Sequence, residues 1–266
     1  MRWSLVRAEN SEPLTRGATN CYVLHGAIPV LIDAASPTAE YVDRVADALG
    51  GEVLATLAAT HGHGDHVAGA AAIAARWQGA ASVKIPWPER DASTGVDWTP
   101  LRDKQFIPAG DGQLLVLHTP GHAPDHACYF DLRSGTLFGG DLVMNGGTVT
   151  IPASSGGSLR QYLRSLRRIL GLEPRRVLPG HGDPIDHPAP LIRAYLAHRQ
   201  LRDDQVVEAL TVGARTVEEI ADRLYPTLEA EMLAAARENV RAHLQMLEED
   251  GRARHDAGAW SLVLGP

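Results

Sequence analysis

Lysine is nearly missing from this chain. Of its 25 basic residues only Lys84 and Lys104 are lysines, and the rest are arginines. Together with the abundance of alanine, this preference reads as the imprint of a GC-rich genome and carries little functional information. A basic surplus is missing too. The net charge is −7, so the surface as a whole lacks the positive field that nucleic-acid binding needs. Aromatic residues are scarce, at 5%. Cysteine is limited to Cys21 and Cys128, which lie in apolar, strand-like runs and outside any CxxC pair. That leaves two buried structural thiols. No stretch approaches the ~20 apolar residues of a membrane span. Residues Met1 to Asn10 hold no apolar core of signal-peptide length. The chain is therefore expected to be cytoplasmic, with no membrane partner. What remains is 44% hydrophobic and 21% charged residues over 266 positions, an ordinary soluble mix. It suffices for one large core with a small domain beside it.

The first 190 residues alternate strand and helix signals, which predicts an α/β fold. Thr19–His25 and Pro29–Asp33 flank Gly26 as a hairpin. Ser36 and Pro37 read as cap and first turn of a helix running to about Leu49, closed by Gly50-Gly51. Glu52–Ala59 reads as a buried strand, followed by a His-rich loop and a helix on Val67, Ala70, Ala71, Ala74 and Trp77. Ala81–Ile85 is another strand, and Pro86–Asp103 an irregular loop. Leu114–His118, Ala127–Asp131, Thr136–Phe138 and Arg176–Leu178 are further strands. Ser158 and Gln161 predict a capping box for the helix carrying Leu159, Tyr162, Leu163, Leu166 and Ile169. After Pro190 the pattern changes. A second capping box at Thr216 and Glu219, a long helix through Leu247, and two strands around Ala257-Gly258 follow in the order of a winged helix. The expected domains are thus residues 1–190, catalytic, and 191–266, a helical linker with a winged helix.

Thr60-His61-Gly62-His63-Gly64-Asp65-His66 places four potential metal ligands within six residues at a strand end. Alternate histidines let two imidazoles converge on one ion, and the intervening glycines let the backbone fold tightly round it. Zinc favours imidazole and carboxylate ligands, and a catalytic zinc keeps one position open. Three other segments agree: Thr119-Pro120-Gly121-His122, Gly139-Gly140-Asp141 and Pro179-Gly180-His181-Gly182 each put one His or Asp after a strand, beside glycine or proline. A single such histidine is usually accidental. Three of them beside an HxHxDH segment are not.

On these motifs the chain resembles the metallo-β-lactamase superfamily across its whole catalytic part. The resemblance implies an αββα sandwich with two divalent metal ions at one edge, zinc first, with iron or manganese allowed by the same ligands. It implies His61, His63 and His122 on one metal, Asp65, His66 and His181 on the other, and Asp141 between them. Asp33, in Leu31-Ile32-Asp33-Ala34, matches the family Asp that orients a ligand or the His loop, or else it caps a strand end. Asn20-Cys21-Tyr22 matches a family strand signature and reads as structural. The mechanism implied is hydrolysis by a metal-bridging hydroxide. Asp65 then takes part as a ligand and not as a free general base, and no serine or cysteine nucleophile is required.

The segment from Tyr195 through His198 and Arg199 to Arg202, followed by a winged helix, resembles the lactamase-β-like-2 group. Its members are endoribonucleases, and close relatives are thioesterases that release polyketide chains. Residues 193–266 carry nine Arg against thirteen Asp or Glu, the wrong sign for DNA contacts. This domain is expected to wall the cleft or to join a homodimer. Arg160, Arg164, Arg167, Arg168, Arg175 and Arg176 form a basic run opposed by Glu173 alone. It reads as a solvated face, or as an anion dock for phosphate, coenzyme A or a carrier protein. His118 and His126, four residues either side of His122, read as proton donors to the cleft, His126 foremost, or else as structural histidines. The loop Met144–Gly157 is expected to border the substrate and be mobile, with Ser154 and Ser155 as possible contacts. The acidic chain favours a small acyl thioester or ester substrate, free or carried on coenzyme A or a carrier protein, over single-stranded RNA. A mononuclear-iron persulfide dioxygenase and a non-catalytic metal sensor are the remaining readings.

Overall fold

Along the second strand, Cys21 and Val23 face one way while Tyr22 and Leu24 face the other, and all four are buried. A strand buried on both faces requires layers on both sides. In the computed structural model, which describes residues 1–9 and 17–263, those layers are helices outside and a second sheet inside. The first sheet is β1 (Arg2–Glu9), β2 (Ala18–His25), β3 (Val30–Ile32), β4 (Thr56–Ala58), β5 (Ala81–Lys84) and β6 (Thr99–Pro100), in that order. Its first three strands are antiparallel and the rest run parallel. The second sheet is β7 (Phe106–Ala109), β8 (Gly112–His118), β9 (Ala127–Asp131), β10 (Thr136–Gly140), β11 (Arg176–Pro179) and β12 (Ile185–Asp186).

Tyr22, Leu24, Ile32, Val116, Tyr129, Phe138 and Leu178 interdigitate between the sheets. Helices α1 (Ala39–Leu49), α2 (Gly64–Val67) and α3 (Ala70–Arg76) lie with the first sheet, and Tyr41, Val45 and Ile73 cover its outer face. A short α4 (Pro88–Asp91) follows β5. Helix α5 (Leu159–Leu172) covers the second sheet through Tyr162, Leu166 and Ile169. The expected αββα sandwich is thus observed, together with the winged helix. That domain comprises α7 (Val217–Leu224), α8 (Ala230–Glu249) and the hairpin β13 (Ala253–Asp256)–β14 (Ala259–Leu262), closed on Val206, Ile220, Val240, Leu244 and Trp260. Residues 264–266 of the expected domain lie outside the described residues.

The 23-residue α6 (Ala189–Thr211) runs through both cores. Ile192 and Tyr195 belong to the outer core of the second sheet, and Val206 and Leu210 to the winged helix. The expected boundary at 190 therefore falls on the first turn of a helix shared by both parts.

Several local expectations change. Thr38, not Ser36, caps α1, accepting from Tyr41 N at 3.3 Å. The Ser36 carbonyl instead lies against Gly69, where an added Cβ would come within 2.2 Å. Ser158 does cap α5, but its own N–H donates to Gly121 O at 2.8 Å, so Gln161 completes no reciprocal box. The Thr216–Glu219 box is complete. The strand over 52–59 shrinks to Thr56–Ala58 because its partner β3 is three residues long.

The irregular loop 86–103 is held down by one of the two lysines. Lys84 is fully buried, and its Nζ meets Asp91 Oδ1 at 2.6 Å, Asp125 Oδ2 at 2.8 Å and Ile85 O at 2.8 Å. This ties β5 and α4 to the loop that carries His122. Replacing Lys84 with Met strands two carboxylates in low dielectric. We expect Lys84→Met to lower the unfolding free energy by about 3–5 kcal/mol, read from the urea midpoint. A change below about 1 kcal/mol would show that the network contributes nothing net.

Candidate metal centre

Four segments at one edge of the sandwich bring the expected residues together. His61 and His63 follow β4, Asp65 and His66 form the first turn of α2, His122 follows β8, Asp141 follows β10 and His181 follows β11. His63 Nδ1 lies 3.0 Å from His61 Nε2 and 2.9 Å from His122 Nε2. His66 Nε2 lies 3.6 Å from Asp65 Oδ2, and His181 Nε2 lies 3.2 Å from the same oxygen. Asp141 stands between the two groups. Its Oδ1 is 3.3 Å from His66 Nε2, while its Oδ2 is 3.4 Å from His181 Nε2 and 3.5 Å from His122 Nε2.

Four of the five imidazoles are aimed by their other nitrogen. His66 Nδ1 bonds Asp33 Oδ2 at 2.8 Å, His122 Nδ1 bonds Thr150 O at 2.7 Å and His181 Nδ1 bonds Ala18 O at 2.9 Å. Thr60 Oγ1 donates to Asp33 Oδ2 at 2.9 Å, so it accepts from His61 Nδ1 at 3.1 Å. Carbonyls and carboxylates only accept, which places a hydrogen on Nδ1 and turns Nε2 toward the centre. Asp33 also accepts from Thr60 N at 2.7 Å, so it orients a ligand and also caps the strand end. Asn20 Nδ2 donates to Pro179 O and Gly182 O, and Tyr22 OH to Pro179 O. The strand signature thereby holds the His181 loop.

Electrostatics divides the site in two. Burial, reinforced by the neighbouring imidazoles, lowers His61 far below the usual range and His63 to about 3. Burial also opposes charge on His66 and His181, but the carboxylates of Asp65 and Asp141 outweigh it, with Asp33 adding to His66. His66 is held well above its usual value and His181 rises to about 10. Asp141 is pulled well below the carboxylate range by His181 and His66, against its burial.

These donors fit a divalent metal. His66 Nε2 and Asp141 Oδ1 are buried without a hydrogen-bond partner, an expensive state for polar atoms unless a cation completes them. His61, His63 and His122 form one set of mutually close ligand atoms, and Asp65, His66 and His181 another. The required glycine is Gly180, where a Cβ would come within 2.5 Å of Asp141 Oδ1 and 2.7 Å of His66 Cε1. Gly64, by contrast, faces open space and is not sterically demanded, while a Cβ at Gly62 would come within 3.3 Å of Asp125 Oδ2.

Other expectations are corrected. His126 is fully buried, accepts from Asp141 N at 3.0 Å and gives its Nδ1 hydrogen to Thr119 Oγ1 at 2.9 Å. Burial lowers it to about 3. It positions Asp141 and has no proton to deliver to the cleft. His118 turns away to Pro124 O at 2.8 Å. The cleft, of about 320 Å³, is walled beside the ligands by Met144, Thr148, Val149, Thr150 and Pro152, and not by Ser154 or Ser155. The loop 144–157 is tied down: Tyr195 OH bonds Met144 O and Gly147 O, Asn239 Oδ1 accepts from Ile151 N, and Glu238 accepts from Ser154 N. Three arginines of the basic run are neutralised by distant carboxylates: Arg160 by Glu249 and Asp250, Arg168 by Asp103, Arg176 by Asp186. Cys21 and Cys128 are buried, with thiols pushed up to about 12 by burial, and neither is a nucleophile. No helix of the described residues is long and apolar enough to cross a membrane.

Residues 14–181 match the family described as the metallo-beta-lactamase superfamily, and residues 216–260 match the beta-lactamase associated winged helix domain. A beta-lactamase-like protein 2 homolog of Drosophila melanogaster is 30% identical, covering 92% of this chain and 87% of that protein. An atrochrysone carboxyl ACP thioesterase of Aspergillus fumigatus is 28% identical over 82% of this chain and 67% of its own length. Among solved structures, a metallo-beta-lactamase family protein from Thermus thermophilus superposes with a TM-score of 0.82 at 23% identity, covering 98% of both chains.

Two substitutions test the centre. Asp33 has φ 62°, a conformation Asn tolerates, so Asp33→Asn removes the charge without straining the turn. It should weaken metal binding about 10–100-fold in chelator competition while leaving the circular dichroism unchanged. Gly180→Ala drives a methyl into Asp141 and His66 and should abolish stoichiometric uptake. Full metal content in that variant would contradict the assignment of these two side chains to one centre.

Proposed function

The chain belongs to the metallo-beta-lactamase superfamily, whose members are generally hydrolases, and carries the winged-helix domain associated with that family; from this premise we propose that it is a dinuclear metal-dependent hydrolase of thioester or ester substrates. His61, His63 and His122 would hold one ion and Asp65, His66 and His181 the other, with Asp141 contacting both. Two complete donor sets favour a dinuclear centre over the single iron of a persulfide dioxygenase, and a full ligand set argues against a non-catalytic sensor. Imidazole and carboxylate donors without thiolate suit zinc first, with iron or manganese as the alternatives. Such a metal pair polarises a carbonyl oxygen and lowers the pKa of a coordinated water to about 7.

The observation that carries the substrate class is the wall of the cleft. Met144, Thr148, Val149, Thr150 and Pro152 offer apolar surface and two hydroxyl-bearing side chains, and among the described residues the lining includes no arginine, lysine, tryptophan, tyrosine or phenylalanine. A single-stranded RNA is bound through cations on its phosphates and aromatic platforms under its bases. A neutral acyl chain asks for neither. The leaving group argues the same way. A thiol of pKa about 8.5 departs as thiolate without a proton donor, whereas a ribose alkoxide needs one. With His126 sealed behind Asp141, the described residues lining the cleft offer no such acid beyond the ligand side chains themselves. The similar Aspergillus fumigatus protein is named as a thioesterase acting on a carrier-bound acyl chain, which supports an acyl group presented on coenzyme A or a carrier protein.

Metal-loaded protein should release free thiol from a panel of acyl-coenzyme A thioesters. Because outer partners of a metal alone are worth 10–100-fold, His63→Ala should reduce that rate by more than about 100-fold. The counter-substrate is labelled single-stranded RNA. Metal-dependent RNA cutting that vanishes in His63→Ala, with no thiol released, would overturn the acyl reading and make the enzyme a phosphodiesterase.

A further inference from the structure

Arg199 stands one turn beyond Tyr195 on α6 and is 2% exposed. A guanidinium that cannot reach water must have fixed partners. Its Nη1 donates to Asn239 Oδ1 at 3.0 Å, and its Nη2 donates to Val149 O. The same Asn239 Oδ1 accepts from Ile151 N at 3.1 Å. Arg199 and Asn239 therefore grip the backbone on both sides of Thr150, one through the carbonyl before it and one through the amide after it. The carbonyl between these two grips is the one that accepts from His122 Nδ1 at 2.7 Å. No other bond to His122 Nδ1 is seen among the described residues.

We infer that Arg199 and Asn239, from the C-terminal helices, are positioning residues for the metal centre: they fix the Thr150 carbonyl that sets the tautomer and orientation of His122. The chain of contacts is short and each link is directional. Arg199 and Asn239 lie on α6 and α8, residues 149–151 form the cleft wall, and His122 belongs to the sandwich. A carbonyl that tips away leaves His122 free to carry its hydrogen on either nitrogen, and the form with Nε2 protonated has no lone pair for a metal. The C-terminal domain thus completes a ligand of a site that its own residues never touch. This inference rests on the metal-site reading above, but its first readout needs no metal.

Asn239→Leu removes the shared acceptor while keeping the shape, and Asn239→Asp restores it. In metal-free protein, nitrogen NMR of His122 should show a single tautomer protonated at Nδ1 in the wild type and a mixture in Asn239→Leu, with the single form regained in Asn239→Asp. On metal, Asn239→Leu should bind Co²⁺ about 10–100-fold more weakly at one of its two sites, with an altered visible absorption band, and Asn239→Asp should recover both. Asp203→Asn serves as the control. It disturbs the pairs with His243 and Arg252 inside the C-terminal domain without touching residues 149–151, and should lower the melting temperature with tautomer and affinity unchanged. Should Asn239→Leu fail to fold, Arg199→Lys, which keeps the charge and loses the fork, carries the same measurements. An unchanged His122 tautomer and Co²⁺ affinity in a folded variant would overturn the inference. A wild type with the single tautomer but no Co²⁺ binding would sink the metal reading instead.

Discussion

The carboxylate of Asp33 meets three donors at once, and the geometry of the centre depends on it. It accepts from the Thr60 amide, from the Thr60 hydroxyl and from His66 Nδ1. Because the Thr60 hydroxyl spends its hydrogen on Asp33, it can only accept from His61, which fixes that ring too. One side chain therefore orients a ligand of each of the two donor sets. It does so from a strand end at φ 62°, where the chain turns away so that the carboxylate can reach back across the mouth of the His loop. A buried anion is tolerable there because every oxygen has a donor and a basic imidazole lies 2.8 Å away.

Around that anchor the rest of the sandwich solves a convergence problem. Ligands come from four segments separated by up to 120 positions in sequence, and only strand ends at a common edge bring them within bonding range. The sheets supply rigidity through an interior of Tyr22, Val116, Tyr129 and Phe138, while small residues supply approach: Gly180 lets His66 and Asp141 close to 3.3 Å. His126, Asn20 and Tyr22 hold Asp141 and the His181 loop from behind. Each is a polar group spent on position and not on reaction, which is how a site keeps its donors aimed at a shared point.

The C-terminal helices extend the same logic outward. They neutralise part of the arginine run through Glu249 and Asp250, and they grip the wall at Val149, Ile151 and Ser154. A surface that reads as basic in sequence becomes a seam between two parts of the molecule. Among the described residues, the cleft is left apolar and uncharged apart from its ligands.

The sequence by itself determined which residues could form the centre, since HxHxDH and three single-residue loops after strands are local patterns with a chemical reason for each spacing. The alternation of strands and helices and the winged-helix order were legible too, because periodicities of two and of 3.6 and the Thr216–Glu219 box are written in neighbouring residues, while the αββα sandwich was implied only by the resemblance that the metal motifs carry. The sequence left β1, β6, β7 and β12 unseen, for β1 alternates charged and apolar residues on an edge, β7 is four residues broken by a proline, and β6 and β12 are two residues each. Only the tertiary structure decided what depends on distant partners. It turned His126 from a proton donor into a brace for Asp141, gave Arg160, Arg168 and Arg176 their carboxylates, buried Lys84 between two aspartates, and set Arg199 and Asn239 on either side of Thr150. A hydrogen bond is fixed by position and direction within a few tenths of an ångström, and sequence separation carries no information about either.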